Sequence, residues 1–303
     1  MKTIALNIGL VTIIVLSPVW AKQISLSFDD APRGDGYYYT GKERSRALVK
    51  SLKKADVPQV IFYANPKHAV VKHNLKRLKY YKKSGHLIGN HTWQHLSANQ
   101  QTVDEFIKEV ERADVFLKKH NLLSPYFRFP YLRRGDTLDK VREIREGLIS
   151  MGYEDGYVTI DNYDWYMEAL FQKALKQKRD INMENMKKFY VEILMKSIRF
   201  YDALAVEILG RSPKHVLLLH ENDLAALFIG DLVEQLRKES WEIIEPIKSY
   251  DDQDLKIYPD VLYHGQGRVA SIAKLKKYKG PINSGYEDEK ILDDLFDEYK
   301  IIN

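Results

Sequence analysis

The chain reads as an α/β fold built on a mostly parallel, barrel-like sheet, and three patterns predict it. Short apolar or alternating runs recur seven times between 23 and 244. Stretches of helical periodicity separate nearly all of them. Polar residues able to do chemistry, mostly acids and histidines, follow the strand-like runs, where α/β folds place their sites. With 303 residues, 45% of them hydrophobic and 12% aromatic, the chain can bury a large core, and a barrel of this length is commonly one domain.

The first residues do not belong to that pattern. Lys2, an apolar run from Ile4 to Leu16 and the small-residue end Pro18-Val19-Trp20-Ala21 fit a secretory signal over residues 1–21, cleaved after Ala21. An uncleaved N-terminal anchor is the alternative. No later segment is apolar enough to cross a bilayer, so no stable membrane insertion is expected after cleavage, and the protein is expected to be exported, to a periplasm or the extracellular space. Export would permit disulfides, yet there are no cysteines, which also excludes thiolate metal sites and a cysteine nucleophile. The 47 Lys and Arg against 42 Asp and Glu give +5 with no basic block, which does not argue for nucleic acid. Protein partners leave no signature.

The elements follow in order. Gln23 to Phe28 alternates and stops at Asp29-Asp30-Ala31-Pro32, a first strand presenting two carboxylates. The loop behind it holds Tyr37, Tyr38 and Tyr39, either a stacking platform or packing on the rim. Leu48, Val49, Leu52 and Ala55 mark a helix before a buried strand at 60–63. Leu75 and Leu78 mark another, capped at Gly85, before a third strand at 86–90 that ends at His91. Thr102-Val103-Asp104-Glu105 is a capping box opening a helix through Phe106, Val110, Ala113 and Leu117. A fourth strand at 125–131 ends near Pro130; a helix through Leu138, Val141, Ile144 and Leu148 leads to a fifth strand at 156–160, followed by Asp161 and Asp164-Trp165. One or two long helices are expected between Met167 and Gly210, then a buried strand at 214–219 delivering His220, a helix through Leu224 to Leu236, and a last strand at 241–244. Residues 22–250 form the predicted catalytic domain, and 251–303 a C-terminal extension packed on the barrel.

The candidate metal ligands are Asp30, His91 and His95. Two imidazoles four residues apart would share a face of a helical turn, and a carboxylate delivered from elsewhere completes a three-ligand set with room for water. Such a site binds Zn²⁺ or another divalent ion and makes its water nucleophilic near neutral pH. The adjacent Asp29 is free for a different task, taking a proton from the water. His220 is either a satisfied core histidine or a general acid; Arg128 held against Asp29 would orient it, and an acid after the fifth strand, Asp161 or Asp164, would raise the proton affinity of His220.

Phe28-Asp29-Asp30, His91-Thr92-x-x-His95, Arg128-x-Pro130-Tyr131, Asp161-x-x-Asp164-Trp165 and Leu217-x-Leu219-His220 occur in one order and spacing. In this the chain resembles the polysaccharide deacetylases of the NodB-homology type, carbohydrate esterase family 4, over about residues 23 to 247. The resemblance implies a distorted (β/α) barrel with seven or eight mostly parallel strands, one divalent metal, commonly zinc with cobalt or nickel in some members, and hydrolysis of N-acetyl groups on amino-sugar residues of a glycan. By motif, Asp29 is similar to the catalytic base, and Asp30, His91 and His95 to the metal ligands. Arg128 looks like the residue that orients the base, Tyr131 like the one whose backbone N–H holds the oxyanion, Asp164 like the partner of the acid His220, and Trp165 and Leu218 like walls of the acetyl pocket. Two loops depart from the pattern: Asp30-Ala31-Pro32 stands where the family often has Asp-Asp-Gly, and Leu132-Arg133-Arg134 precedes Gly135. Hence a related amidase or esterase acting on a small molecule, and a non-catalytic carbohydrate-binding protein on the same barrel, are the alternatives. A two-metal phosphatase or nuclease would need more carboxylates and a basic groove.

Overall fold

A computed structural model describes residues 21–263 and 265–303; the predicted leader, apart from Ala21, lies outside the described residues. The strands are β1 (Lys22–Ala31), β2 (Ile61–Ala64), β3 (Leu87–Asn90), β4 (Leu123–Phe127), β5 (Glu154–Asp155), β6 (Lys214–His220) and β7 (Trp241–Ile243). The helices are α1 (Gly41–Lys54), α2 (Lys72–Lys83), α3 (Val103–Lys119), α4 (Leu138–Ser150), α5 (Asp164–Lys176), α6 (Met183–Leu209), α7 (Asp223–Lys238), α8 (Pro246–Tyr250), α9 (Arg268–Leu275) and α10 (Glu289–Glu298). None is long and apolar enough to cross a membrane.

The seven strands form one parallel sheet in the order β5-β4-β3-β2-β1-β6, with β7 beside the start of β1. Ile160 bridges Leu217 in parallel, so the segment running from β5 to residue 160 links β4 to β6 and closes a distorted barrel. Parallel strands covered on both faces should be apolar throughout, and Leu217, Leu219, Ile61, Phe62 and Ile24 are fully buried.

The fifth strand is not the apolar run expected at 156–160: β5 precedes it, at Glu154–Asp155. Only Glu154 and Asp155 ladder with β4, because the next carbonyls, of Gly156 and Tyr157, turn to the Arg128 guanidinium at 2.8 and 3.4 Å. Tyr63 fills the barrel beside that break: a Cβ on Gly156 would lie 2.1 Å from its hydroxyl, and one on Gly89 2.5 Å from its ring. Both glycines are there because Tyr63 takes the space.

The helices follow their signals. Thr40 and Thr102 close capping boxes with Glu43 and Glu105 on α1 and α3, and α6 ends on Gly210 at φ +79°. The residues after 250 wrap back onto this body: α9 packs on α6 and α10 on α5. Leu292, Phe296, Val269 and Ile272 enter the main core, and Ile302 bridges Ile181.

Candidate active site

The carboxyl ends of four strands meet at one rim. Asp29 is paired in register with His220 across β1 and β6; Asn90 pairs with Phe127, so His91 and Arg128 follow side by side from β3 and β4. The Arg128 N–H donates to the Asn90 carbonyl at 3.0 Å and the Glu221 N–H to the Asp29 carbonyl at 3.0 Å, carrying the alignment past the strands.

The local path of the two histidines differs from the helical turn their spacing suggests. Residues 91–97 form an irregular loop in which Thr92 and His95 take φ +66° and +62°. The Asn90 side chain accepts from the Thr92 N–H at 2.9 Å, and the Thr92 hydroxyl from the His95 N–H at 3.0 Å, replacing helical hydrogen bonds. Both rings nevertheless reach the same point, with centroids 4.8 Å apart.

Asp30, His91 and His95 offer ligand atoms all within 4.8 Å of one another. Asp30 also has a left-handed backbone, φ +67°, which breaks the strand alternation next to Asp29. His95 Nε2 lies 3.3 Å and His91 Nε2 3.8 Å from Asp30 Oδ1. The fit to a divalent ion rests on chemistry visible in the chain. Asp30 Oδ1 is buried with no hydrogen-bond partner. His91 Nδ1 sits 2.8 Å from the Arg128 carbonyl, so it must carry the proton, which leaves Nε2 as a bare donor aimed at Asp30. Burial lowers both imidazoles to about 4, so they stand neutral and ready to ligate. Burial alone would raise the Asp30 carboxyl, yet His95, His220, Arg33 and His91 together hold it below the usual carboxylate range.

Asp29 is 4% exposed and touches Arg128 Nη1 through Oδ1 at 2.7 Å. Its burial outweighs the guanidinium and pushes the carboxyl up, the direction that suits a proton acceptor. Arg128 is itself fixed on every side: Ser27 Oγ at 2.8 Å, the Tyr250 hydroxyl at 3.1 Å, and the Tyr63 ring 4.0 Å beneath it. Opposite, His220 Nδ1 lies 2.6 Å from Asp164 Oδ1, while Asp164 Oδ2 accepts from the His220 backbone N–H and from Asn222. Burial would lower this imidazole, but the Asp164 carboxylate and its hydrogen bond raise it to about 9. Asp161 makes no hydrogen bond to His220; its Oδ1 accepts from the Asn162 N–H.

Tyr131 takes φ +56° in the turn after β4, and its ring stands edge-on to His95 at 4.4 Å. Trp165, on the first turn of α5, is 37% exposed and contacts the rings of Tyr163 and Tyr166. Leu218 is buried on β6 two residues before His220. Glu221, Tyr63 and Tyr250 are supports that sequence reasoning missed. Glu221 is fully buried, accepts from the Arg33 N–H at 2.7 Å, the Tyr81 hydroxyl at 2.6 Å and both ways from Arg77, and so ties the Asp30 loop to β6. A charged residue directly after His220 was its one trace in the sequence.

Residues 17–165 match the family model described as polysaccharide deacetylase. Among solved structures, the chain is similar to a family 4 carbohydrate esterase from Streptomyces lividans in complex with acetate, at 16% identity and TM-score 0.50 over 75% of this chain and 95% of that one. It is similar to the peptidoglycan deacetylase PdaC from Bacillus subtilis at 18% identity and TM-score 0.50, over 92% and 97%. A mutant of a carbohydrate esterase family 4 pseudoenzyme with restored enzymatic activity aligns at 17% identity and TM-score 0.54, over 76% and 68%. No curated protein matches the chain. At these identities the structures establish the shared fold.

Proposed function

We propose, from the match of residues 17–165 to the polysaccharide deacetylase family model, that the protein is an exported, metal-dependent deacetylase. Its substrate is an acetylated amino-sugar residue within a polysaccharide such as peptidoglycan, a chitin-like glycan or poly-N-acetylglucosamine. Residues 22–250 are the catalytic domain and 251–303 an extension of it. The observation that carries this reading is the pairing of two opposed proton-handling groups, Asp29 with Arg128 and His220 with Asp164, around the three-ligand set.

Asp30, His91 and His95 would hold one divalent ion, zinc first, which supplies Lewis acidity and an acidified water. The chain does the rest. Asp29, held by Arg128, takes a proton from the attacking water. The Tyr131 backbone N–H faces the oxygen on which charge develops in the tetrahedral state. His220, kept protonated by Asp164, gives its proton to the departing amine. Trp165 and Leu218 wall the acetyl group.

The test is acetate release from N-acetylglucosamine oligomers and peptidoglycan fragments, alongside metal analysis and the controls Asp29→Asn and His91→Ala. Acetate release lost in both controls, with metal lost only in the second, is the expected result. Stoichiometric metal without hydrolysis of any amide or ester on a broad panel would overturn the enzyme reading, and activity untouched by His91→Ala would overturn the site.

A further inference from the structure

Both loops that depart from the family's motif pattern bring an arginine to the site: Arg33 after Asp30-Ala31-Pro32, and Arg133 after Tyr131-Leu132. The Arg33 loop is pinned by Glu221 on its N–H and by Arg77, which donates to its carbonyl at 2.6 Å. Its Nη1 is shielded from solvent and finds no hydrogen-bond partner among the described residues. The charges it faces are Asp30 and Glu168, and the Glu168 carboxylate is engaged by the Leu224 N–H at 3.0 Å and by Gln172 at 2.7 Å. On the other flank the Arg133 guanidinium lies 5.7 Å over the Tyr131 ring, which stands against His95, which in turn faces Asp30.

The series Arg33, Asp30, His95, Tyr131, Arg133 therefore crosses the ligand set with a cation at each end. Among the described residues neither arginine forms an ion pair, whereas Arg134 lies 3.9 Å from Asp155. The nearby acids are committed: Asp29 to Arg128, Asp164 to His220, Glu221 to Arg77. A shielded guanidinium N–H left without an acceptor is costly, and its planar fork matches a carboxylate. A neutral glycan would leave both arginines as they are.

We propose that Arg33 and Arg133 form anion subsites on the two flanks of the reacting acetamide, and that the substrate is a strand of acetylated amino sugars carrying carboxylates. The identity of the reaction rests on the deacetylase reading; the subsites themselves can be read by binding alone.

The experiment uses the metal-loaded full chain and glycan strands alternating N-acetylglucosamine with N-acetylmuramic acid, prepared as free lactyl carboxylates and as methyl esters. Calorimetry gives Kd and acetate release gives kcat/KM for each. The free acid is expected to be preferred about tenfold or more in both, the scale of one charge-assisted hydrogen bond, and the preference shrinks as salt rises. In Arg133→Ala, an exposed position, and in Arg33→Ala, the acid-to-ester ratio falls toward one, and the lysine variants retain part of it. A wild-type ratio near one, or a ratio that these variants leave intact, would overturn the subsites. Tighter, arginine-dependent binding of the acid without acetate release keeps the subsites and removes the deacetylase reading. Acetate release from both forms with equal binding does the reverse.

Discussion

At Asp29, burial to 4% exposure lifts the carboxyl even though Arg128 sits 2.7 Å away, while at Asp30 the surrounding histidines and Arg33 win and hold the carboxyl down. Two neighbouring acids thus acquire different protonation chemistry from their surroundings. Asp29→Asn is expected to lower kcat by about 10²- to 10⁴-fold with metal content retained, measured by single-turnover acetate release and metal analysis. His220, raised to about 9, is protonated below that value, the state its proposed role as general acid requires. The rate should fall on the alkaline side at or below pH about 9, because a bound cation nearby can only pull the imidazole down. In Asp164→Asn that limb should move to lower pH by at least about one unit, which a pH–kcat profile reads directly. The sign for stability agrees: a folded-state value above the ordinary 6.5 contributes stability below that pH and loses it as pH rises through about 9. His91 and His95, lowered by burial to about 4, do the opposite, so acid between about 6 and 4 should destabilise the fold and release metal together.

Among the elements, β2, β3 and the segment after β5 meet around one side chain. Tyr63 bonds the Tyr250 hydroxyl at 2.7 Å, underlies Arg128, and presses against Gly89 and Gly156. Gly89→Ala should cost about 1–3 kcal/mol as an overpacking change, seen as a lowered denaturation midpoint. Tyr250→Phe, which removes one acceptor from Arg128, should cost about 1 kcal/mol and lower kcat more than KM if Arg128 orients Asp29 as proposed. The aromatic loop after β1 docks on α5: Tyr38 packs on Phe171 at 5.8 Å and the Tyr37 N–H reaches Gln172 at 2.7 Å, while Tyr37 stays 61% exposed. That geometry combines rim packing with an exposed ring. The ends of β1, β3 and β6 were legible because their apolar runs stop at acids and histidines. The His91 loop was not, since an i,i+4 spacing carries no record of the two left-handed residues that set its path. The short β5 was equally hidden, because what interrupts it is Arg128, 28 residues away.

For the whole molecule, a ligand set held by three separate backbone positions would bind metal only when folded, so metal binding and stability would be linked. Zinc at about 100 times its Kd should stabilise the chain by ~2.7 kcal/mol, and a chelator should reverse the shift in thermal unfolding; His95→Ala should abolish it. Removing residues 251–303 uncovers the faces of α5 and α6 against which Leu292, Phe296, Val269 and Ile272 pack. The truncated chain is expected to aggregate or unfold, as light scattering and circular dichroism would report. The order of motifs, the helix caps and the identity of Asp29, Asp30, His91, His95, Arg128, Asp164 and His220 as site candidates were determined by the sequence, because local periodicity and residue chemistry are local properties. Only the tertiary structure decided which acid meets His220, that Glu221 and Tyr250 hold the site in place, and that Arg33 and Arg133 end on either side of it with no ion pair among the described residues. These depend on contacts between residues tens to nearly two hundred positions apart, and burial, which sets their protonation, exists only once the barrel has closed.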